Sequence, residues 1–138
     1  MRFMVIVKSD EKTDVAGAQP SAEELQEMGK FNEELVKAGV MLAGEGLLPS
    51  AEGVRIQYSG TAEARVVDGP FAESKELIAG FWILQVKDKA EVIEWMKRAP
   101  FREGEIEIRR VAEMEDFDNA TPEIVEHEQK LREQAEAN

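Results

Sequence analysis

The spacing of apolar residues divides the N-terminal part of the chain into a strand, a loop and a helix. Residues 2–7 are apolar on both faces, which predicts a strand in the middle of a sheet. In PSAEELQEMGKFNEELVKAG, Ser21 and Glu24 have the spacing of a capping box, and Gly39 is placed to end the helix. One apolar stripe recurs along this helix at spacings of three and four: Leu25, Met28, Phe31, Leu35 and Ala38.

The middle of the chain returns to extended structure. The stretch VMLAGEGLL predicts a strand whose glycines, at positions 44 and 46, indicate a bulge or a close backbone approach. Residues 54–58 and 64–67 alternate in polarity around Ser59-Gly60-Thr61, a pattern typical of a hairpin. Residues 77–86 are nearly all apolar and predict a second central strand.

A second helix and a final strand follow. The helix is expected to start at Asp88 and to stop at Pro100, with an inner stripe of Val92, Trp95, Met96 and Ala99. The alternation in EIEIRRV predicts the last strand. We expect one domain over residues 1–112 and an acidic tail over residues 113–138, in which a helix starting at Thr121 packs on a partner surface or frays.

This order of elements predicts an α+β fold of the ferredoxin-like kind, βαβ-βαβ with an inserted hairpin and both helices on one face of the sheet. The two central strands are apolar on both sides, and one chain lacks the elements to cover the second face. We therefore expect a homodimer in which two sheets meet face to face. The glycine-rich strand and the hairpin would then wall a cavity.

Composition narrows the function classes. A net charge of −12 makes nucleic acid and anionic membranes poor partners. No apolar run is long enough to span a bilayer, the start does not resemble a signal peptide, and there is no cysteine. These features together predict a cytoplasmic protein without disulfides or thiolate chemistry.

The tetrapeptide Asp68-Gly69-Pro70-Phe71 has two interpretations. In one, it is a rigid corner in which Asp68 accepts hydrogen bonds from backbone N–H groups one or two residues on. In the other, the corner holds the Asp68 carboxylate at the mouth of an apolar cavity beside Phe71, where desolvation would suit it to acid–base work. The sequence leaves both open.

Other candidate chemistry is sparse. His127, the only histidine, lies in the tail without convergent ligands, and the acidic run from Glu113 to Asp118 lacks the spacing of a calcium loop. No phosphate-binding glycine loop and no activated serine is present, so we expect neither a cofactor nor a metal ion. Phe81 and Trp82 are adjacent in a predicted strand and should point to opposite faces.

The stretch VVDGPFAESKELIAGFWILQV closely resembles the signature of YCII-related proteins, specifically their Asp-Gly-Pro-Phe (DGPF) subgroup. KAGVMLAGEGLLPS, VIEWMKRAP and GEIEIRRV are also similar to that subgroup, so the resemblance covers about residues 1–112. It implies a dimeric ferredoxin-like α/β barrel with a cleft between sheet and loops, at which the motif aspartate acts. Relatives by fold include small-ring isomerases and a dehydrochlorinase.

The resemblance also implies a histidine–aspartate catalytic pair in the wider family. Asp68 matches the aspartate, whereas residues 1–112 contain no histidine. The subgroup further tends to be encoded beside sigma factors, which implies a regulatory or accessory role.

Two functions therefore stay open. The first is proton transfer or elimination on a small cyclic compound, with Asp68 as the base. The second is a non-catalytic ligand-binding or regulatory accessory module that uses the same cleft or the acidic tail. The residues expected to bind the substrate or ligand are Glu45, Phe71, Lys75, Trp82 and Arg109.

Overall fold

The computed structural model describes residues 1–71 and 77–138 and shows a mixed α+β protein with an antiparallel sheet. Four strands form the main sheet in the order β2-β5-β1-β6, and β3 pairs with β4 in a separate two-stranded ribbon. The strands are β1 (Arg2–Lys8), β2 (Met41–Gly46), β3 (Val54–Gln57), β4 (Arg65–Asp68), β5 (Ile78–Gln85) and β6 (Ile106–Arg110).

Three α-helices lie in the described part of the chain: α1 (Ala22–Lys37), α2 (Lys89–Met96) and α3 (Pro122–Ala137). Ser21 caps α1 through the predicted capping box with Glu24, and Gly39 follows its end with φ +73°. The helix α2 begins as predicted, with Asp88 accepting a hydrogen bond from the Glu91 N–H.

The end of α2 differs from the prediction. It closes at Met96, four residues before Pro100, with Lys97 as its C-cap. The chain from Arg98 onwards makes tight turns instead, including a hydrogen bond from the Ala99 N–H to the Met96 carbonyl. Proline excludes the helical conformation from its neighbourhood without fixing the last helical residue, which explains the early end.

The core lies between one sheet face and the helices α1 and α2. Alternate residues of β1 and β5 face it, because side chains of a strand alternate between faces. The helix α1 contributes fewer residues of its predicted apolar stripe to the core than expected, since Leu25 is 59% exposed. The buried core residues in contact are Phe3, Val5, Phe31, Leu35, Val40, Trp82, Leu84, Val86, Val92 and Met96.

The opposite sheet face is only half covered. Met4 and Ile6 of β1 and Phe81 and Ile83 of β5 occupy it as neighbouring pairs, all of intermediate exposure. The β3–β4 ribbon adds a second apolar surface, on which Val54, Ile56 and Val66 are 57%, 51% and 63% exposed. Both central strands are therefore central as predicted, and each contributes buried residues to one face alone.

Candidate functional site

A cleft of about 190 Å³ opens where β2, β5 and β1 lie beneath α1. Its floor is strand backbone, because Gly46, Gly80 and Val7 occupy one row across the three strands and two of the three lack a side chain. A Cβ on Gly46 would meet no atom within 4 Å, whereas one on Gly80 would lie 2.7 Å from the Glu45 carbonyl oxygen. Of the two glycines in the predicted strand, Gly46 therefore leaves open space at the cleft, whereas Gly44 is covered by Trp82.

The aromatic wall of the cleft is built around Trp82. Its indole lies against the β2 backbone, since a Cβ on Gly44 would be 2.8 Å from Trp82 Cδ1. Phe31 and Phe101 meet the indole edge-on, with ring centroids 5.9 Å and 6.1 Å away. Phe101, which lines the mouth, is 39% exposed, and Met28 of α1 completes this side. The wall therefore suits a flat, apolar group.

Asn32 of α1 places a polar group in this apolar wall. Its Oδ1 accepts a hydrogen bond of 2.8 Å from Trp82 Nε1. Indole N–H only donates, so the carbonyl end of the amide must face Trp82 and the NH₂ end must face away. Within the described residues no group accepts from Asn32 Nδ2. Sequence reasoning missed Asn32, because no local pattern connects it with a tryptophan in a distant strand.

Glu45 also lines the cleft, from the edge strand β2. The register pairs it with Phe81, so its side chain leaves the sheet on the face opposite Gly44 and Trp82. What Glu45 brings to the floor of the cleft is therefore backbone. Its carboxylate has no hydrogen-bond or ion-pair partner among the described residues.

The Asp68–Phe71 corner is held by another segment of the chain. The Gly69 N–H donates to the Gly53 carbonyl at 2.9 Å, and the Phe71 N–H donates to Ser50 Oγ at 3.2 Å. The peptide bond between Gly69 and Pro70 is cis. A Cβ on Gly69 would lie 1.7 Å from the Ser50 carbonyl oxygen, so only glycine fits there. The interpretation that Asp68 accepts from N–H groups one or two residues on is wrong, because the Gly69 N–H already donates to Gly53 and Pro70 has no N–H.

Two further contacts fix this corner. Asp14, in the loop after β1, accepts hydrogen bonds from the Ser50 N–H at 2.7 Å and from the Ser50 hydroxyl. The Arg55 guanidinium lies 3.9 Å above the centroid of the Phe71 ring. Together these contacts join the loop, the 3₁₀ turn Ser50–Glu52 and the hairpin to the corner.

The predicted site residues do not all come together. Trp82 and Glu45 line the cleft, while Asp68, Phe71 and Arg109 are not among the described residues that line it. Asp68 is exposed at the end of β4, and Arg109 lies 4.0 Å from Glu107 on β6. Lys75 lies outside the described residues. The catalytic role of Asp68 accordingly stays a prediction.

Three of the four clearly shifted pKa values among the described residues belong to ion pairs on the surface, and the fourth is that of Asp10, whose pKa is lowered chiefly by the hydrogen bond from the Thr13 N–H. The hydrogen bond from Arg110 lowers the pKa of Asp116, and the hydrogen bond to Glu105 raises the pKa of Lys8. Both pairs brace β6, one to the segment that follows it and one to β1. Their role is structural, because neither pair reaches the cleft.

Residues 1–71 and 77–138 contain no candidate metal site. No three histidine, cysteine, aspartate or glutamate side chains there lie close enough to hold a metal ion. His127 is exposed on α3, as expected. None of the helices described is both long and apolar enough to cross a membrane.

Comparison with known proteins gives the family. An uncharacterized protein of Rhizobium meliloti (strain 1021) is 26% identical over 116 residues, which cover 81% of this chain and 93% of that protein. The solved 5-chloro-2-hydroxyhydroquinone dehydrochlorinase TftG of Burkholderia phenoliruptrix AC1100, in complex with 2,5-dihydroxybenzoquinone, aligns over 86% of this chain and 100% of its own, with a TM-score of 0.48 and 14% identity. The model of the YCII-related domain matches residues 1–115, and the chain therefore belongs to the YCII-related family.

Proposed function

We propose that this protein binds a small molecule in the cleft beneath α1. The observation that carries the proposal is the cleft itself: a floor without side chains at Gly46 and Gly80, and an aromatic wall at Trp82 and Phe101. Concave, mostly apolar sites with few polar groups are typical of small-ligand pockets. A volume of about 190 Å³ limits the ligand to a compact molecule, such as a single substituted ring.

The chemistry that we propose is proton transfer or elimination on a small cyclic compound, with Asp68 as the base. Support comes from the Asp-Gly-Pro-Phe sequence, on which we also assign the chain to the DGPF subgroup. The alternative is non-catalytic binding, as in a regulatory accessory module. The exposure of Asp68 and its position outside the described lining of the cleft favour this alternative. A link to a sigma factor stays a prediction from sequence resemblance.

A thermal-shift screen of small cyclic compounds, repeated with Asp68→Asn, tests the proposal. A compound that raises the melting temperature of the wild type identifies ligand binding, and its consumption would identify turnover. Asn keeps the shape and one acceptor oxygen of Asp68. The free energy of unfolding of the variant should therefore differ from that of the wild type by no more than about 1 kcal/mol. If Asp68 is the base, Asp68→Asn abolishes turnover while ligand binding persists. Unchanged turnover in a well-folded variant would remove Asp68 from the mechanism.

We also propose that two copies associate through the half-covered sheet face. Met4, Ile6, Phe81 and Ile83 give this face an apolar centre on both inner strands. Monomeric proteins rarely leave a contiguous apolar patch of this kind in water. Sedimentation at micromolar concentration should give a dimer; a single species of 15.5 kDa would contradict the proposal.

A further inference from the structure

We propose that Asn32 acts as the specificity-determining donor of the cleft, and that the ligand is an uncharged planar molecule that carries an acceptor oxygen. This inference rests on the proposed binding function and names the ligand class for that site. Its starting point is the Trp82–Asn32 hydrogen bond.

The orientation of the Asn32 amide is fixed from one side. The Trp82 indole is 5% exposed and is held between Phe31 and Phe101, so its N–H direction is set by packing. That N–H occupies Asn32 Oδ1 at 2.8 Å, which prevents the amide from turning over. The two N–H donors of Nδ2 consequently have one fixed direction, and no described group accepts from them.

The surroundings make this donor selective. The side chains that reach the helix side of the cleft are apolar apart from Asn32: Val7, Met28, Trp82 and Phe101. Asn32 is half-buried and its Nδ2 is still open to water, so a bound ligand would displace water from this donor and a ligand oxygen would replace the lost hydrogen bond. A ligand that lacks the oxygen would fit the same space and leave the donor unpaired.

The apolar helix-side wall of the cleft also indicates that the ligand is uncharged. A carboxylate would lose its water to an apolar cleft whose helix-side wall offers a neutral amide and no cation among the described residues. The net charge of −12 adds a long-range repulsion for anions. An uncharged carbonyl pays a much smaller desolvation cost and is not repelled by the net charge.

Acetophenone and α-methylstyrene are matched probes for this test, because a carbonyl oxygen in one replaces a CH₂ group in the other. Binding is followed by the two indole N–H signals in ¹H–¹⁵N spectra. The Trp82 signal should shift on titration, whereas Trp95 of α2, whose ring lies under the Arg98 guanidinium and does not line the cleft, is an internal control. Wild-type protein should bind acetophenone about threefold to tenfold more tightly than α-methylstyrene. Benzoate should bind more weakly than acetophenone.

The variant Asn32→Asp tests the contribution of the N–H donor alone. Aspartate keeps the acceptor for Trp82 Nε1 and nearly the same shape, but it has no N–H to donate. The preference for acetophenone should disappear in this variant, while α-methylstyrene should bind within about twofold of its wild-type affinity.

The possible results separate the two proposals. Equal binding of both probes to the wild type, or a preference that survives in Asn32→Asp, would overturn the role of Asn32 and leave the cleft as a binding site. Benzoate binding as tightly as acetophenone would overturn the uncharged class. If no probe shifts the Trp82 signal, both the cleft function and this inference fail.

Discussion

Ser50 joins three segments of the chain at the Gly69–Phe71 corner. Its hydroxyl accepts from the Phe71 N–H and donates to Asp14, and its carbonyl oxygen lies against the Cα of Gly69. The Asp68 side chain, in contrast, is exposed and makes no hydrogen bond with the described residues. The rigidity of the corner is therefore a property of Ser50 and Gly69, which leaves the Asp68 carboxylate free for another role.

The variant Ser50→Ala should reduce stability more than an exposed serine does. It removes the acceptor for the Phe71 N–H and one donor to Asp14, and we expect a loss of about 1–3 kcal/mol in the free energy of unfolding. Ser59→Ala in the hairpin turn is the matched control, because Ser59 is exposed and makes no side-chain hydrogen bond among the described residues. Urea unfolding compares the two; equal values would show that Ser50 does not hold the corner.

At the scale of the elements, the C-terminal segment divides into an attached part and a projecting part. Arg2 binds Glu113 at 2.9 Å and Arg110 binds Asp116, so the chain just after β6 is tied to the sheet. The helix α3 has a capped start at Thr121, yet it contains no buried residue. Ile124 and Leu131 are 48% and 50% exposed. Local capping at Thr121 therefore favours this helix, and tertiary packing contributes little to its stability.

Deletion of residues 119–138 should therefore leave the domain folded. The removed helix buries no side chain in the chain itself, so the melting temperature should change by no more than a few degrees. Circular dichroism of the full chain and the truncated chain gives the comparison. A large loss of thermal stability would mean that α3 completes the core or the dimer contact.

The Arg110–Asp116 pair should give a small acid-dependent contribution. The folded chain lowers the pKa of Asp116 below its ordinary value of 3.8, chiefly through the hydrogen bond from Arg110. A lowered folded-state pKa stabilises the protein above the unfolded pKa, and this stabilisation is lost as the pH falls through the folded value. The melting-temperature difference between wild type and Asp116→Asn should thus shrink below pH 3.8. Asp118→Asn, at an exposed aspartate without a described partner, is the control for the loss of one carboxylate.

At the scale of the whole molecule, local patterns predicted the elements, whereas the site depends on distant contacts. Capping residues and strand alternation act within a few positions, which is why the starts of α1 and α2 and the hairpin could be predicted. The Ser50–Asp14 and Trp82–Asn32 contacts span 36 and 50 positions, and neither leaves a periodic trace in the sequence. The glycines at positions 44 and 46 were a visible signal of the cleft, but its polar group was not.

The central claim is that a small molecule binds in the cleft beneath α1. The most direct test is to measure ligand affinity in a variant whose added side chain fills this cleft. A Cβ at Gly46 would meet no atom within 4 Å, so Gly46→Val adds volume at the cleft at a position with open space, in a strand where valine is favoured. Gly29→Ala on α1 is the control, because it too meets no neighbour and does not line the cleft. Measured by the Trp82 indole signal, acetophenone affinity should fall at least tenfold in Gly46→Val and stay unchanged in Gly29→Ala. Unchanged affinity in a folded Gly46→Val protein would show that the ligand does not bind in this cleft.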